Sequence, residues 1–319
     1  MNQEIMVSVI CTVYNHEKYV RDALDGFVMQ KTNFPFEVLI HDDASTDNSA
    51  NIIREYEAKY PDLIKPIYQV ENQFTRGGNI TRRFLLPKVR GKYVAVCEGD
   101  DYWTDPCKLQ KQVDFLENNP DYSMCACSTV WLDMRTMRKK NGCLTTEDRD
   151  VSLEEIILER KGRPFHYSGI LARAYVFLER PEWLCHFGVG DTPLAIHAAL
   201  TGKVRMFADV GSVYRNHAQG SWTSRIDQNI DFKVRSFNRM ISGMEEFNEA
   251  TQYQYQEIVT ERINLQKYRI AITKRDWKSV RQGELWKIYK SKTFAGRVAD
   301  FLHCKAPRLE AAIRRLTGK

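Results

Sequence analysis

The chain has 319 residues and a net charge of +6, with 43% hydrophobic and 28% charged residues. This balance is typical of a globular protein and excludes a disordered chain. The mild positive charge suits an anionic partner such as a nucleotide phosphate or a membrane surface. Because no dense basic block alternates with aromatic residues, the sequence predicts no nucleic-acid partner.

No apolar run approaches the roughly 18 residues that a membrane span requires. The first residues lack a basic segment followed by an apolar one, so we expect no secretory signal and a cytoplasmic location. The eight cysteines include no Cys-x-x-Cys pair, which favours reduced and mostly buried thiols. A zinc site built on Cys125, Cys127 and a distant ligand is the alternative.

The first part of the chain alternates apolar runs with helical stripes. Strands are predicted at 6–14, 36–40, 64–70 and along the apolar run that ends at Cys97, and the intervening helices include 19–28 and 80–89. This alternation predicts an α/β fold with an open, mostly parallel sheet flanked by helices. In such sheets ligands bind beyond the carboxyl ends of the strands.

The later elements continue the pattern and then change. We predict a helix at 109–118, a strand at 123–132, a polar loop or edge excursion at 135–150, a short helix at 151–160, a strand lining a site at 165–171, a helix from 191 and a strand at 204–213. From about residue 226 the composition becomes helical and rich in charged residues. We therefore predict a catalytic domain over 1–225 and a helical extension over 226–319.

Polar residues follow three of the predicted strands. Thr12 ends the first strand, Asp42-Asp43 follows the second, and Glu98-Gly99-Asp100-Asp101 follows the fourth. Carboxylates at strand ends suit a nucleotide pocket and a hard divalent cation such as Mg²⁺ or Mn²⁺. A solvated acidic turn that caps the next helix is the alternative. The sequence has neither Gly-x-Gly-x-x-Gly after the first strand nor a phosphate-loop motif, which excludes the common dinucleotide and ATPase classes.

Two further groups of residues are candidates for chemistry. Asp191 stands where a helix begins, so it is either a catalytic carboxylate or a helix cap. Arg215 and His217 lie in a polar and aromatic loop predicted over 214–222, where they could reach a diphosphate or a metal. A structural role is the alternative for the histidine.

These motifs resemble family 2 glycosyltransferases. The stretch at 7–15 with Asp42-Asp43-Ala44-Ser45-Thr46-Asp47 is similar to the N-terminal sequences of that family, and 98–109 resembles its metal-binding motif. The similarity covers roughly 5–223. It differs from the family pattern at Gly190, where relatives usually carry a second acid before the base, and at Glu98, where many carry Asp.

The resemblance implies a GT-A-like nucleotide-diphospho-sugar transferase fold and an inverting, metal-dependent sugar transfer. It implies a nucleotide-sugar donor, UDP-linked, and a saccharide or lipid-linked acceptor in bacterial cell-surface polysaccharide synthesis. The implied roles are nucleotide binding by Thr12, Tyr14, Asp42, Asp43 and Asp100, Mn²⁺ or Mg²⁺ binding by Asp101, Glu98 and His217, catalysis by Asp191 as base, and diphosphate contact by Arg215 and Trp222.

Two other functions are compatible with the sequence. One is a nucleotidyltransferase that forms nucleotide-sugars, and the other is a non-catalytic protein that binds a nucleotide or carbohydrate. The terminal stretch 294–319 combines apolar and basic residues, so it predicts either peripheral membrane contact or a solvated helix with one packed face. The sequence does not predict an oligomeric state.

Overall fold

The computed structural model describes residues 4–188, 190–219 and 221–309, without the side chains of Trp222, Arg225 and Asp227. The described residues form two compact units. The first unit lies within 1–180 and 191–224, and the second within 181–190 and 225–319. The predicted domain boundary near 225 remains a prediction.

Within the described residues, ten strands form a single sheet in the first unit. They are β1 Val7–Val13, β2 Phe36–Asp42, β3 Ile64–Tyr68, β4 Tyr93–Val96, β5 Tyr102–Trp103, β6 Tyr122–Asp133, β7 Arg138–Cys143, β8 Arg149–Asp150, β9 Ile170–Arg173 and β10 Lys203–Asn216. Their order is β3-β2-β1-β4-β9-β6-β10-β5, with β7 on β6 and β8 on β10. Strands β1 to β4, β6 and β10 point one way and the others are antiparallel, so the predicted mostly parallel sheet is confirmed.

Helices cover this sheet and form most of the second unit. They are α1 Val20–Val28, α2 Ser49–Lys59, α3 Lys108–Asn118, α4 Leu153–Leu158, α5 Ala174–Leu178, α6 Asp191–Thr201, α7 Trp222–Gln228, α8 Ile230–Ala250, α9 Gln256–Thr273, α10 Trp277–Val280, α11 Gly283–Ser291 and α12 Phe294–Lys305. The predicted cap of α4 is confirmed, since the Ser152 hydroxyl accepts the backbone N–H of Glu155 at 3.1 Å.

The core explains why β1 and β2 are almost continuously apolar. Val9 and Val38 are fully buried in the sheet, and the apolar stripe of α1 places Leu24 and Phe27 against the same cluster. The Phe27 ring meets the Trp103 ring edge-to-face at a centroid distance of 5.0 Å. A parallel sheet covered on both faces requires such strands.

The strand register brings three polar strand ends to one edge. β1 lies between β2 and β4, and Val13 pairs with Asp42. After the strands end, the N–H of Asp43 donates to the Val13 carbonyl and the N–H of Gly99 donates to the Thr12 carbonyl, each at 2.9 Å. A side chain at Gly99 would place its Cβ 2.7 Å from Val13 Cγ2, so only glycine allows this approach.

Three predicted elements differ from the structure. The stretch 80–89 is one π turn, Thr81–Leu85, and a 3₁₀ turn, Leu86–Lys88, in place of a regular helix. The strand predicted at 165–171 is a 3₁₀ turn, Tyr167–Gly169, followed by β9, because the His166 side chain accepts the Ser168 N–H and closes the turn locally.

The third difference concerns the end of β10. Tyr214, Arg215 and Asn216 continue the strand in register with β6, although the sequence predicted a loop there. The strand carries irregularities near Val210, which let it follow its partner over 14 residues. The edge excursion predicted at 135–150 contains the short strands β7 and β8.

The structure also bears on the prediction of reduced, mostly buried thiols and on the prediction of no membrane span. All eight cysteines are free thiols, and five of them are buried. Among the described helices none combines the length and apolar character needed to cross a membrane.

Candidate active site at the carboxyl ends of the strands

An acidic turn follows β4 and contributes three carboxylates to this edge of the sheet. Asp101 is 1% exposed and Asp100 is 8% exposed, whereas the Glu98 side chain reaches solvent. The turn is closed by the N–H of Asp101, which donates to the Glu98 carbonyl at 3.0 Å. The Thr12 hydroxyl lies 3.5 Å from Glu98 Oε1, so the end of β1 contacts the turn.

The turn concentrates negative charge. Burial, and next the charge of Asp100, raise the pKa of Asp101. Removal from bulk water raises the pKa of Glu98, and the charges of Asp100 and Asp191 raise it further. The Glu98 side chain is exposed, so solvent screens these effects on its pKa. The turn is therefore poised to accept a positive charge.

Arg215 at the end of β10 holds this turn in place. Its backbone N–H donates to Asp101 Oδ1 at 2.9 Å, and its Nη1 donates to the Asp100 carbonyl at 2.9 Å. The guanidinium also pairs with Asp22 and lies 4.4 Å from the centroid of the Tyr102 ring. With 5% of the residue exposed, these contacts support a positioning role, and diphosphate contact by Arg215 remains a prediction.

A buried histidine lies beside the turn. His166 Nδ1 is 3.7 Å from Asp101 Oδ2, and its ring stacks on Tyr214 at a centroid distance of 4.1 Å. Burial lowers the pKa of His166 to about 3, so the imidazole is neutral and forms no ion pair with Asp101. Its Nδ1 accepts the Ser168 N–H at 3.2 Å.

The predicted nucleotide residues lie at the ends of β1 and β2. Asp43 is buried, and its two carboxylate oxygens accept the N–H groups of Gln73 and Phe74 at 2.7 and 3.0 Å. Asp42 Oδ2 accepts from Ser45 at 3.2 Å, and Asp42 Oδ1 is buried with no hydrogen-bond partner among the described residues. Tyr14 is 45% exposed. Their contact with a nucleotide remains a prediction.

Asp191 begins α6, as predicted, and is held from two sides. Its Oδ1 accepts the N–H of Thr192 at 2.8 Å, while Oδ2 pairs with the Arg163 guanidinium. Arg163 also lies 3.7 Å from Glu159. Burial raises the pKa of Asp191, but Arg163 and the Thr192 N–H outweigh it, so the net pKa is lowered. The carboxyl is therefore ionised at neutral pH and able to accept a proton.

If Asp191 is the general base, as the sequence predicts, removing Arg163 is expected to change the pH dependence of the reaction. Charge loss in Arg163→Gln raises the pKa of Asp191, and a base must be ionised, so the acid limb of the kcat/KM profile moves to higher pH. Arg160→Gln, which breaks an exposed pair with Glu154, is the control and leaves the limb in place. Other groups acting on Asp191 are His166, Glu98 and Tyr167. An unchanged acid limb in Arg163→Gln contradicts the assignment.

The remaining predicted residues follow β10. His217 has a left-handed backbone with φ 64°, and its N–H lies 3.3 Å from the Thr223 hydroxyl. Trp222 begins α7, but its side chain lies outside the described part of the structure. Both assignments remain predictions.

The acidic turn fits a hard divalent cation in its donor chemistry. Its candidate ligands are carboxylate oxygens, and the Arg215 guanidinium is directed to Asp22 and to the Asp100 carbonyl instead of any of the three carboxylates of the turn. Among the described residues no three His, Cys, Asp or Glu side chains converge on one point, so Glu98, Asp101 and His217 do not form a ready-made cage. Mg²⁺ sites commonly use one or two carboxylates and take further ligands from bound phosphates.

Sequence reasoning missed three residues of this site. Asp191 is contacted by Arg163, and Asp101 is contacted by His166. Arg215 is contacted by Asp22. Each partner comes from a distant part of the chain. Only His166 left a signal, because a histidine inside the apolar run at 165–171 is unusual. The other two look like ordinary surface charges in sequence.

Comparison with solved structures shows which fold this chain adopts. The mannosyltransferase PcManGT of Pyrobaculum calidifontis aligns with a TM-score of 0.60 at 15% identity, covering 100% of this chain and 89% of that chain. TarS 1–349 of S. aureus in complex with UDP aligns with a TM-score of 0.57 at 17% identity, covering 96% and 83%. The fold is therefore GT-A-like.

Sequence comparison identifies the family. The model of the family Glycosyl transferase family 2 matches residues 8–170, about half of the chain, and the chain belongs to this family. An uncharacterized protein of Mycobacterium tuberculosis is 36% identical over 221 residues, which are 68% of this chain and 61% of that protein. The chain thus spans about three fifths of the length of this curated relative.

Proposed function

We propose that this chain is an inverting glycosyltransferase that moves a sugar from a nucleotide diphosphate sugar to an acceptor hydroxyl. The observation that carries the proposal is that the acidic turn at 98–101, whose carboxylates suit a cation, and the ionised carboxylate of Asp191 belong to one site. The charges of both Asp100 and Asp191 act on Glu98, so the two parts of the site are within electrostatic range. Family membership supports the same reaction.

Asp191 is proposed as the general base. Inverting transfer is a single displacement at the anomeric carbon, so one carboxylate takes the proton of the acceptor hydroxyl on the face opposite the leaving group. The ion pair with Arg163 and the Thr192 N–H favour the ionised form that this role needs. Position 190, where relatives usually carry a second acid, is Gly190 in this chain. Arg163 supplies the contact that positions Asp191.

Asp101 is proposed to hold Mg²⁺ or Mn²⁺ together with the donor diphosphate, and Asp100 beside it is proposed to bind the nucleotide. When bound, the cation neutralises charge on the leaving diphosphate. The main contribution of the protein is to present a buried carboxylate whose position is fixed by the backbone N–H of Arg215. Glu98 and His217 are proposed as additional contributors at the edge of this group.

Thr12, Tyr14, Asp42 and Asp43 are proposed to bind the nucleotide, with Asp43 at the base. We propose a UDP-linked donor, which the TarS complexes with UDP and UDP-GlcNAc support. PcManGT was solved with GDP-Man and Mn²⁺, so the same fold also accepts another base. For the acceptor we propose a saccharide or lipid-linked saccharide of a cell-surface polysaccharide.

A ligand-linked stability screen tests this function. The purified chain is heated with UDP-, GDP- and other nucleotide-sugars, each with and without Mn²⁺. A UDP-sugar with Mn²⁺ is expected to raise the Tm, since a ligand at 100 times its Kd adds about 2.7 kcal/mol of stability. No shift with any nucleotide-sugar contradicts the proposal. Pyrophosphate release from UTP and a sugar phosphate would instead identify a nucleotidyltransferase.

A further inference from the structure

The helix α12 in the second unit presents its apolar side to solvent. Phe294, Val298 and Phe301 are 75%, 38% and 44% exposed, and they recur at the spacing of one helix face. Ala295 and Ala299, which lie next to them on the helix surface, are exposed as well. A solvated surface helix normally has the opposite arrangement, with its apolar stripe against the protein.

The other side of α12 is anchored, so the exposure is not that of a detached helix. Asp300 pairs with Lys292 and accepts a hydrogen bond from the Tyr268 hydroxyl. Phe301 lies at the margin of the exposed face, because its ring also contacts Trp277 at a centroid distance of 5.3 Å. The contacts of Asp300 orient α12 so that its apolar face, with Phe294 and Val298, is exposed to solvent.

The stretch of chain that contains α12 is basic. Residues 283–309 contain six Lys or Arg and two Asp or Glu. Both acids are already paired, Glu284 with Lys287 and Asp300 with Lys292. Lys305, the last residue of α12, is exposed, as are Arg308 and Leu309 just after the helix. Half-buried aromatic residues of the same unit, Trp286 and Tyr289, stack at 4.9 Å.

We propose that the apolar face of α12 docks on an anionic phospholipid surface. Phe294 and Val298 would enter the boundary between headgroups and acyl chains, while Lys305 and Arg308 would contact the lipid phosphates. This inference stands apart from the proposed transferase activity, because it rests on no residue of the candidate active site.

Charge complementarity favours lipid over a second copy of this chain. Two copies meeting through α12 would bring two surfaces of the same positive sign together, which opposes association. On an anionic membrane, each basic residue near the surface instead strengthens binding by about 1 kcal/mol, which raises the partition coefficient roughly fivefold. Apolar area and positive charge therefore point to the same partner.

Vesicle flotation of the full chain tests this proposal. We expect the chain to float with vesicles that contain phosphatidylglycerol, to bind phosphatidylcholine vesicles weakly, and to be released as salt is raised. Phe294→Glu is expected to reduce partition by about tenfold or more. The matched control is Ile230→Glu, a residue 61% exposed at the start of α8, which leaves binding unchanged.

A second variant keeps the test independent of folding defects. Lys305→Gln with Arg308→Gln retains the apolar face and is expected to lose most of the preference for anionic vesicles, with an unchanged Tm. The proposal is overturned if wild-type chain and Phe294→Glu float equally, or if the wild type does not float with anionic vesicles. It is also overturned if sedimentation shows a dimer that Phe294→Glu dissociates while vesicle binding is absent.

Discussion

Asp191→Asn is expected to lower kcat for sugar transfer by about 10²- to 10⁴-fold, the range that general-base catalysis contributes. Asparagine still accepts the Thr192 N–H at the start of α6, so this contact is retained. It does not take a proton from the acceptor. Donor affinity is expected to stay near the wild-type value, because the proposed base acts on the acceptor and not on the donor.

Turnover at saturating donor and a nucleotide-sugar titration by calorimetry separate these effects. Asp209→Asn removes an exposed carboxylate that pairs with Lys111, and it serves as the control with unchanged kcat. Wild-type turnover in Asp191→Asn would show that the base lies elsewhere. A loss of donor affinity without a loss of kcat would assign Asp191 to the donor pocket.

Asp101→Asn is expected to have opposite effects on activity and on stability. If Asp101 binds the cation as proposed, its loss removes several kcal/mol of transition-state stabilisation, which corresponds to a fall in kcat on the order of 10³-fold. Burial and Asp100 raise the pKa of Asp101, so the ionised group destabilises the metal-free fold at neutral pH. The neutral amide still accepts the Arg215 N–H, and the Tm without metal should therefore rise.

The measurement is a Mn²⁺ titration of activity together with thermal melts with and without UDP and Mn²⁺. Asp114→Asn, on the exposed side of α3, is the control and should leave both unchanged. If Asp101→Asn keeps the metal dependence of the wild type, the cation is held by other residues. A lower Tm in metal-free Asp101→Asn would mean that the carboxylate is structural.

Much of the first unit was predictable from sequence because its signals are local. Continuous apolar runs identified β1, β2 and β4, and the polar residues after them marked one edge of a parallel sheet. The errors arose where long-range contacts overrode the local pattern. Tyr214 to Asn216 look like a loop, yet pairing with β6 extends β10 through them. At 165–171 the His166 side chain closes a turn that apolar composition alone does not indicate.

The sequence by itself determined the fold class, the family and the position of the acidic turn, since these depend on motif spacing and apolar periodicity. Only the tertiary structure decided what surrounds those residues. Arg163 meets Asp191 across 28 positions, and Arg215 meets Asp22 across 193. Such partners follow from strand order and crossovers, which bring distant surface-like charges into one buried site. The pKa of a carboxyl depends on those neighbours, so its chemistry could not be read before the fold was known.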